Sequence, residues 1–191
     1  MRELSILIFV TADGVMQAPG QVDEDPTGGF RGGWATGCWD EVMAQVGQHA
    51  MAEPFDLLLG RSTYDLFKGG HVAEGGDDTP MNRATKYVVT SRSEGLDWPS
   101  TVALDPDVAT SVAALKAGEG PLLQVHGSWQ LVQALLENDL VDLFRIWTFP
   151  VFVGAGKRLF VDGAVPCDLE LLKSEPTPGG AVMTLYRKRR A

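Results

Sequence analysis

The sequence predicts an α/β protein on a mixed, mostly parallel sheet flanked by helices, with antiparallel strands at the C-terminal edge. Three observations carry that reading. Short apolar segments alternate with stretches whose apolar residues recur at helical spacing, the grammar of strand–helix–strand units. The C-terminal third is rich in strand-like segments, the last two separated by a Pro/Gly turn. No internal repeat and no linker interrupts the 191 residues, so residues 1–191 read as one domain.

The elements follow in order. Residues 4–10 form an apolar run, expected as a central strand buried on both faces. Thr11-Ala-Asp-Gly-Val is a turn. Residues 17–34 are rich in Gly and Pro and hold Asp23, Glu24 and Asp25. Long loops in compact domains tend to be functional. This one reads as a flap whose acids keep its outer surface solvated while Phe30 and Trp34 close on a flat ring. Trp39, Val42, Met43, Val46 and Ala50 have helical spacing, which predicts a helix over 38–51. A strand is expected at 55–59, a short helix at 63–67, and a loop at 69–79 with Glu74, Asp77 and Asp78. Residues 86–92 form a strand rich in β-branched residues that ends in a polar turn, and 102–104 is a brief strand. Asp105-Pro-Asp caps a helix through Val108, Val112 and Leu115 that Gly118 stops. A strand at 122–125 leads into a helix at 128–138 with Leu131, Val132, Leu135 and Leu136 on one face. The strand at 142–149 is limited by Pro150, and Gly154-Ala-Gly-Lys-Arg is a glycine-rich loop. Strands at 169–173 and 181–187 flank Pro176-Thr-Pro-Gly-Gly.

Composition narrows the function. The formal net charge is −9, which argues against a nucleic-acid partner, because such binding rests on clustered positive charge. The basic run Arg187-Lys-Arg-Arg reads as a solvated end. Cys38 and Cys167 are the only cysteines, and they provide neither zinc-ligand spacing nor a disulfide framework, so no metal is expected. The N-terminal apolar run is too short for a signal peptide, and no segment approaches the ~20 apolar residues of a membrane span. The expected setting is cytoplasmic, with a small-molecule substrate and no membrane partner.

Two junctions share one grammar. Leu122-Leu-Gln-Val-His-Gly-Ser and Leu57-Leu-Leu-Gly-Arg-Ser-Thr both run from apolar strand through glycine into a helix start. Free backbone N–H groups at a helix N-terminus hold phosphate. Two such junctions point to a ligand with more than one phosphate, such as a dinucleotide.

The order Asp13-Gly-Val, Leu59-Gly-Arg-Ser-Thr-Tyr, Val89-Thr-Ser-Arg, His126-Gly-Ser and Phe149-Pro-Val-Phe-Val-Gly-Ala-Gly-Lys-Arg-Leu-Phe resembles the dihydrofolate-reductase-like superfamily. Within it the chain is most similar to stand-alone relatives of the C-terminal reductase domain of the bacterial riboflavin-biosynthesis deaminase–reductase. The resemblance implies a central mixed sheet, NADPH as hydride donor, a pocket for a flat nitrogen heterocycle, and a homodimer. Carried over, it assigns Gly60, Arg61, Ser62 and Thr63 to the cofactor diphosphate and Ser91 and Arg92 to the adenosine 2′-phosphate. Gly127 and Ser128 match the glycine pair that approaches the pyrophosphate, with serine in place of the second glycine. His126, before them, reads as structural. Gly154, Gly156 and Lys157 fall on the substrate side, where Lys157 and Arg158 either reach an anionic substrate or are solvated. Asp13 borders the nicotinamide, and Trp34 and Asp40 fall where the fold carries a pocket tryptophan and a helix carboxylate. Asp40 or Asp13 is then the candidate proton donor, with water as the alternative; Asp40 can equally serve as helix N-terminal charge. The substrate implied is pterin-like or a pyrimidine ribosylamine. The rival reading is a non-catalytic nucleotide-binding protein that keeps the fold, which cofactor oxidation with candidate substrates separates.

Overall fold

The computed structural model describes residues 1–74 and 79–189, with the side chains of 71–74 outside the described set. Its strands are β1 (Leu4–Thr11), β2 (Phe55–Gly60), β3 (Lys86–Val89), β4 (Thr101–Leu104), β5 (Leu122–Val125), β6 (Leu143–Phe149), β7 (Leu169–Pro176) and β8 (Val182–Lys188). The helices are α1 (Glu41–Ala50), α2 (Arg61–Glu74), α3 (Pro80–Arg83), α4 (Val108–Ala117) and α5 (Trp129–Glu137). The strands form one sheet in the order β4-β3-β2-β5-β1-β6-β8-β7. β1 through β6 pair in parallel, and β8 joins β6 and β7 antiparallel. The expected architecture, a mostly parallel sheet with an antiparallel C-terminal edge, is the one observed.

β1 is central because both faces of its apolar run are covered. Leu4, Ile6, Ile8 and Val10 pack with Val112 of α4 and with Leu131, Val132 and Leu135 of α5. On the opposite face Met43 and Val46 of α1 meet Trp147, Phe149 and Met183. Further along that face Tyr64 of α2 and Met81 of α3 pack over Leu57, Leu59 and Val88. Helices on both faces explain why the parallel strands read as continuous apolar runs.

Three local expectations change. α2 continues from Arg61 through Glu74 rather than ending at 67, so Gly69 and Gly70 lie inside it. An interior glycine costs about 1 kcal/mol, and the packing of Tyr64 and Phe67 outweighs that. Residues 69–74 of the expected loop therefore belong to α2, and Asp77 and Asp78 lie outside the described residues. α3 has no counterpart in the sequence expectations, although Thr79-Pro80 signals it. Thr79 Oγ1 accepts from Asn82 N at 3.2 Å, and the proline stands in the first turn, where it needs no N–H partner. α1 starts at Glu41, because Asp40 caps it and Cys38 belongs to a preceding 3₁₀ turn.

The sheet also buries charge. Lys86 is fully buried; its Nζ donates to the carbonyls of Asn82 (2.7 Å) and Pro99 (2.9 Å) and lies 4.6 Å from the Trp98 ring centre. Burial pushes the ammonium down from 10.5 to about 8. Between those values the unfolded chain holds the proton and the folded chain does not. Stability contributed through Lys86 therefore rises as pH increases through that window. Denaturant unfolding of the wild type and Lys86→Met at pH 7 and pH 10 checks this. The wild type should gain roughly 2–3 kcal/mol relative to the variant across that range.

Candidate functional site

β2 and β5 are parallel neighbours, so their C-terminal ends lie side by side. β2 turns directly into α2 at Gly60–Arg61. β5 passes through His126, Gly127 and Ser128 into α5, with a cis peptide between Gly127 and Ser128. Ser128 is extended at φ −81° and is the N-cap, but its hydroxyl makes no capping bond. The first N–H groups of α5 thus keep no side-chain cap and stay available to an anion.

The two junctions interlock. A methyl group on Gly60 would overlap Ser128 Oγ and lie 3.1 Å from Ser128 Cβ. A methyl group on Gly127, where φ is +130°, would lie 3.0 Å from Thr63 Oγ1. The glycines are needed for this close approach, which brings two helix N-termini to one place.

A cavity of about 750 Å³ opens there. Ser62, Thr63, Gly127 and Ser128 line its helix-junction side, and Leu7, Phe9, Leu66 and Phe67 give it an apolar wall. The long loop forms the remaining wall from Gln17 to Thr27. That loop is stitched around buried Gln17. Gln17 Nε2 donates to Asp25 O (2.9 Å) and Thr27 O (3.1 Å), and Gln17 Oε1 accepts from Lys157 N at 3.0 Å. Trp34 Nε1 donates to Gln17 O at 2.8 Å. Asp25 does not merely solvate the outer surface; it turns to Lys157 Nζ at 2.5 Å.

The structure therefore brings Ser62, Thr63, Gly127, Ser128 and Lys157 to one cavity, with Gly60 behind Ser128. Arg61 does not enter it. Its Nε bonds both Asp65 oxygens (3.0 and 2.9 Å), and its Nη1 donates to the carbonyls of Arg92 (3.2 Å) and Glu94 (2.9 Å). Arg61 thus braces the turn after β3 rather than facing a phosphate. In that turn Arg92 N donates to Thr90 Oγ1 at 3.1 Å, while Ser91 and Arg92 are exposed.

Neither candidate proton donor reaches the cavity. Asp13 accepts from Thr11 Oγ1 (2.6 Å) and Gly154 N (2.9 Å), tying the first turn to the glycine-rich loop. The Thr11 hydroxyl, with help from the Gly154 and Val153 N–H groups, holds its carboxyl below the usual range. Asp40 accepts from Met43 N (2.8 Å) and Gly179 N (2.7 Å), joining α1 to the β7–β8 turn. The Met43 N–H lowers its carboxyl most. Both are held ionised, whereas a general acid needs a raised pKa. For Asp40 the arrangement supports the helix-terminal role. Trp34 packs edge-on against Phe149 (centroids 5.5 Å apart), outside the cavity wall. Gly156, at φ +122°, is crowded by Val15 and Phe30, so Phe30 packs on the loop. Gly154, at φ +78°, serves the Asp13 bond.

The wall contributed by Met16, Leu66 and Phe67 carried no sequence signal beyond apolar character. His126 also lines the cavity; its Nε2 lies 3.2 Å from Gln124 Oε1. Among the described residues no group of three or more His, Cys, Asp or Glu is placed to hold a metal, and no helix is long and apolar enough to cross a membrane.

The family model of the RibD C-terminal domain matches residues 2–183. The chain belongs to the RibD C-terminal domain family. It is similar to the protein YyaP of Bacillus subtilis, at 25% identity over 97% of this chain and 94% of that one. Among solved structures it is similar to a putative riboflavin biosynthesis protein from Shewanella sp. PV-4 (TM-score 0.66, 21% identity, all of both chains). A pyrimidine reductase-like protein from Corynebacterium diphtheriae matches at TM-score 0.67 and 12% identity, over 100% of this chain and 93% of that one. A dihydrofolate reductase from Enterococcus faecalis, solved in complex with NADP(H) and RAB-propyl, matches at TM-score 0.62 and 14% identity, over 98% of this chain and 97% of that one. These likenesses establish the dihydrofolate-reductase-like fold.

Proposed function

We propose that this chain is an NADPH-dependent oxidoreductase acting on a flat nitrogen heterocycle, of the pterin or pyrimidine ribosylamine type. The observation that carries the reading is the interlocked pair of junctions at Gly60 and Gly127, which aims two helix N-termini into one cavity. Membership of a family named for a riboflavin-pathway domain supports it. NADPH supplies the hydride when bound. Ser62, Thr63, Gly127 and Ser128 hold its diphosphate through backbone N–H groups and hydroxyls, and Ser91 and Arg92 take the 2′-phosphate. Leu7, Phe9 and Phe67 give the substrate ring a dry apolar wall. With Asp13 and Asp40 occupied elsewhere, water delivers the proton. A cytoplasmic setting belongs to this proposal.

The test is a titration and a turnover screen. Arg92→Ala should weaken NADPH roughly tenfold or more by loss of a charge-assisted bond, and leave NADH nearly unchanged. Equal losses for both cofactors would remove Arg92 from the site. NADPH oxidation with pterins or pyrimidine ribosylamines separates the reductase from a binding protein that has lost turnover.

We also propose a homodimer that covers β7. This edge strand exposes Leu171 (54%) and Leu172 (43%), and an unpaired apolar edge is an aggregation hazard unless covered. Light scattering at micromolar concentration should give twice the chain mass of 20.6 kDa; a monomer mass defeats the idea.

A further inference from the structure

The cavity walls hold one cation among the described residues, Lys157, against two carboxylates, Glu24 and Asp25. Each charge is already matched. Lys157 Nζ meets Asp25 Oδ2 at 2.5 Å, and Asp25 Oδ1 accepts from Thr27 Oγ1 at 2.6 Å. Glu24 Oε2 accepts from Gly20 N at 2.7 Å and Gln21 N at 3.1 Å. The neighbouring cation, Arg158, bonds the carbonyl of Asp13 and lies 3.9 Å from its carboxylate, and it is not part of the wall.

From this charge balance we infer that the enzyme's substrate carries no phosphate: it is an uncharged, flat heterocycle, with or without an unphosphorylated sugar. The inference rests on the proposed reductase reading and narrows both of its substrate types to their unphosphorylated forms. The cofactor's phosphates are served by the two helix N-termini and by the turn at Ser91 and Arg92. A phosphomonoester on the substrate would be a second dianion in the same cavity. Its natural partner, an unpaired Lys or Arg with donors free to fork or point at it, is missing from the described walls, because Asp25 already neutralises Lys157. Bringing the dianion to Lys157 would displace Asp25 from its ion pair and leave that carboxylate beside the phosphate, like charges that repel. An uncharged ring and sugar hydroxyls face no such conflict. They meet the apolar wall of Leu7, Phe9 and Phe67, with Gln130 at the polar side.

The experiment uses ribose and ribose 5-phosphate as probes, titrated calorimetrically into the full chain with and without saturating NADPH. NADPH affinity is measured first; absence of NADPH binding sinks the reductase reading, and the sugar titrations are then read on the free protein. The wild type should bind ribose 5-phosphate no more tightly than ribose. Asp25→Asn keeps the oxygen that Thr27 uses but frees Lys157, and should bind ribose 5-phosphate at least roughly tenfold more tightly than the wild type does. Adding Lys157→Met to that variant should erase the gain. Wild-type protein that prefers ribose 5-phosphate to ribose by tenfold overturns the inference, whichever residue holds the phosphate. So does a folded Asp25→Asn protein that shows no gain. Should Asp25→Asn not fold, the two wild-type titrations decide by themselves.

Discussion

Gly127→Val is expected to abolish NADPH binding while the protein still unfolds cooperatively. Two effects combine at this position. Its φ of +130° suits glycine and strains any β-branched residue, at a cost of order 1–3 kcal/mol. That is tolerable for a domain of this size, whose stability is typically about 5–15 kcal/mol. The functional effect is larger, because the added Cβ would stand about 3 Å from Thr63 Oγ1, between the two helix starts. The γ-methyl groups extend further and separate the surfaces that are proposed to close on the cofactor diphosphate. Fluorescence titration with NADPH, beside a thermal melt, measures both halves. A folded Gly127→Val protein with unchanged NADPH affinity would remove this junction from the binding site.

The largest stability loss is expected at Asp56, far from the cavity. Asp56 sits in β2 and accepts a buried ion-pair bond from Arg2 Nη2 and an N–H bond from Thr85 at 3.2 Å. Arg2 also donates from Nε to Pro121 O at 2.8 Å and lies 5.7 Å from the Tyr87 ring centre. The side chains keep only 3% and 12% of their accessible surface. Removing one partner of a buried pair leaves the other charge uncompensated, which typically costs about 3–5 kcal/mol. Asp56→Ala should lose about that much in urea unfolding, with NADPH affinity unchanged in the folded fraction. The double variant Arg2→Ala/Asp56→Ala should be more stable than the sum of the single losses implies, since it removes the stranded charge. Additive losses would show that the pair does not act as a unit.

The Arg2–Asp56 pair also shows where the sequence stopped being legible. Residues 55–60 read as an apolar strand, and they are one, with all six residues buried. Nothing local says that the aspartate inside that strand meets an arginine 54 positions earlier. That meeting follows from β5 lying between β1 and β2. Asp40 is the converse case. Its position before an amphipathic helix announces a cap, and the structure uses it as one; the catalytic alternative came from the resemblance alone. Arg61 shows the limit of motif carry-over. The motif places it at the helix start, but only the fold reveals that the turn at 90–95 crosses close enough to claim its guanidinium.

The chain's local pattern announced the sheet class, the order of the strands and of every helix but α3, and the two glycine junctions. Each depends on periodicity or on a local backbone requirement, and such constraints act over a few neighbouring residues. Tertiary structure alone decided that the two junctions interlock, that Asp25 turns inward to neutralise Lys157, and that Asp13 and Asp40 spend their charges on loop and helix ends. Those outcomes depend on contacts between residues far apart in the chain, more than sixty positions for Gly60 and Ser128 and more than a hundred for Asp25 and Lys157, Asp13 and Gly154, or Asp40 and Gly179. A charged side chain takes whichever donors the packed sheet brings within reach, and no local pattern records which those will be.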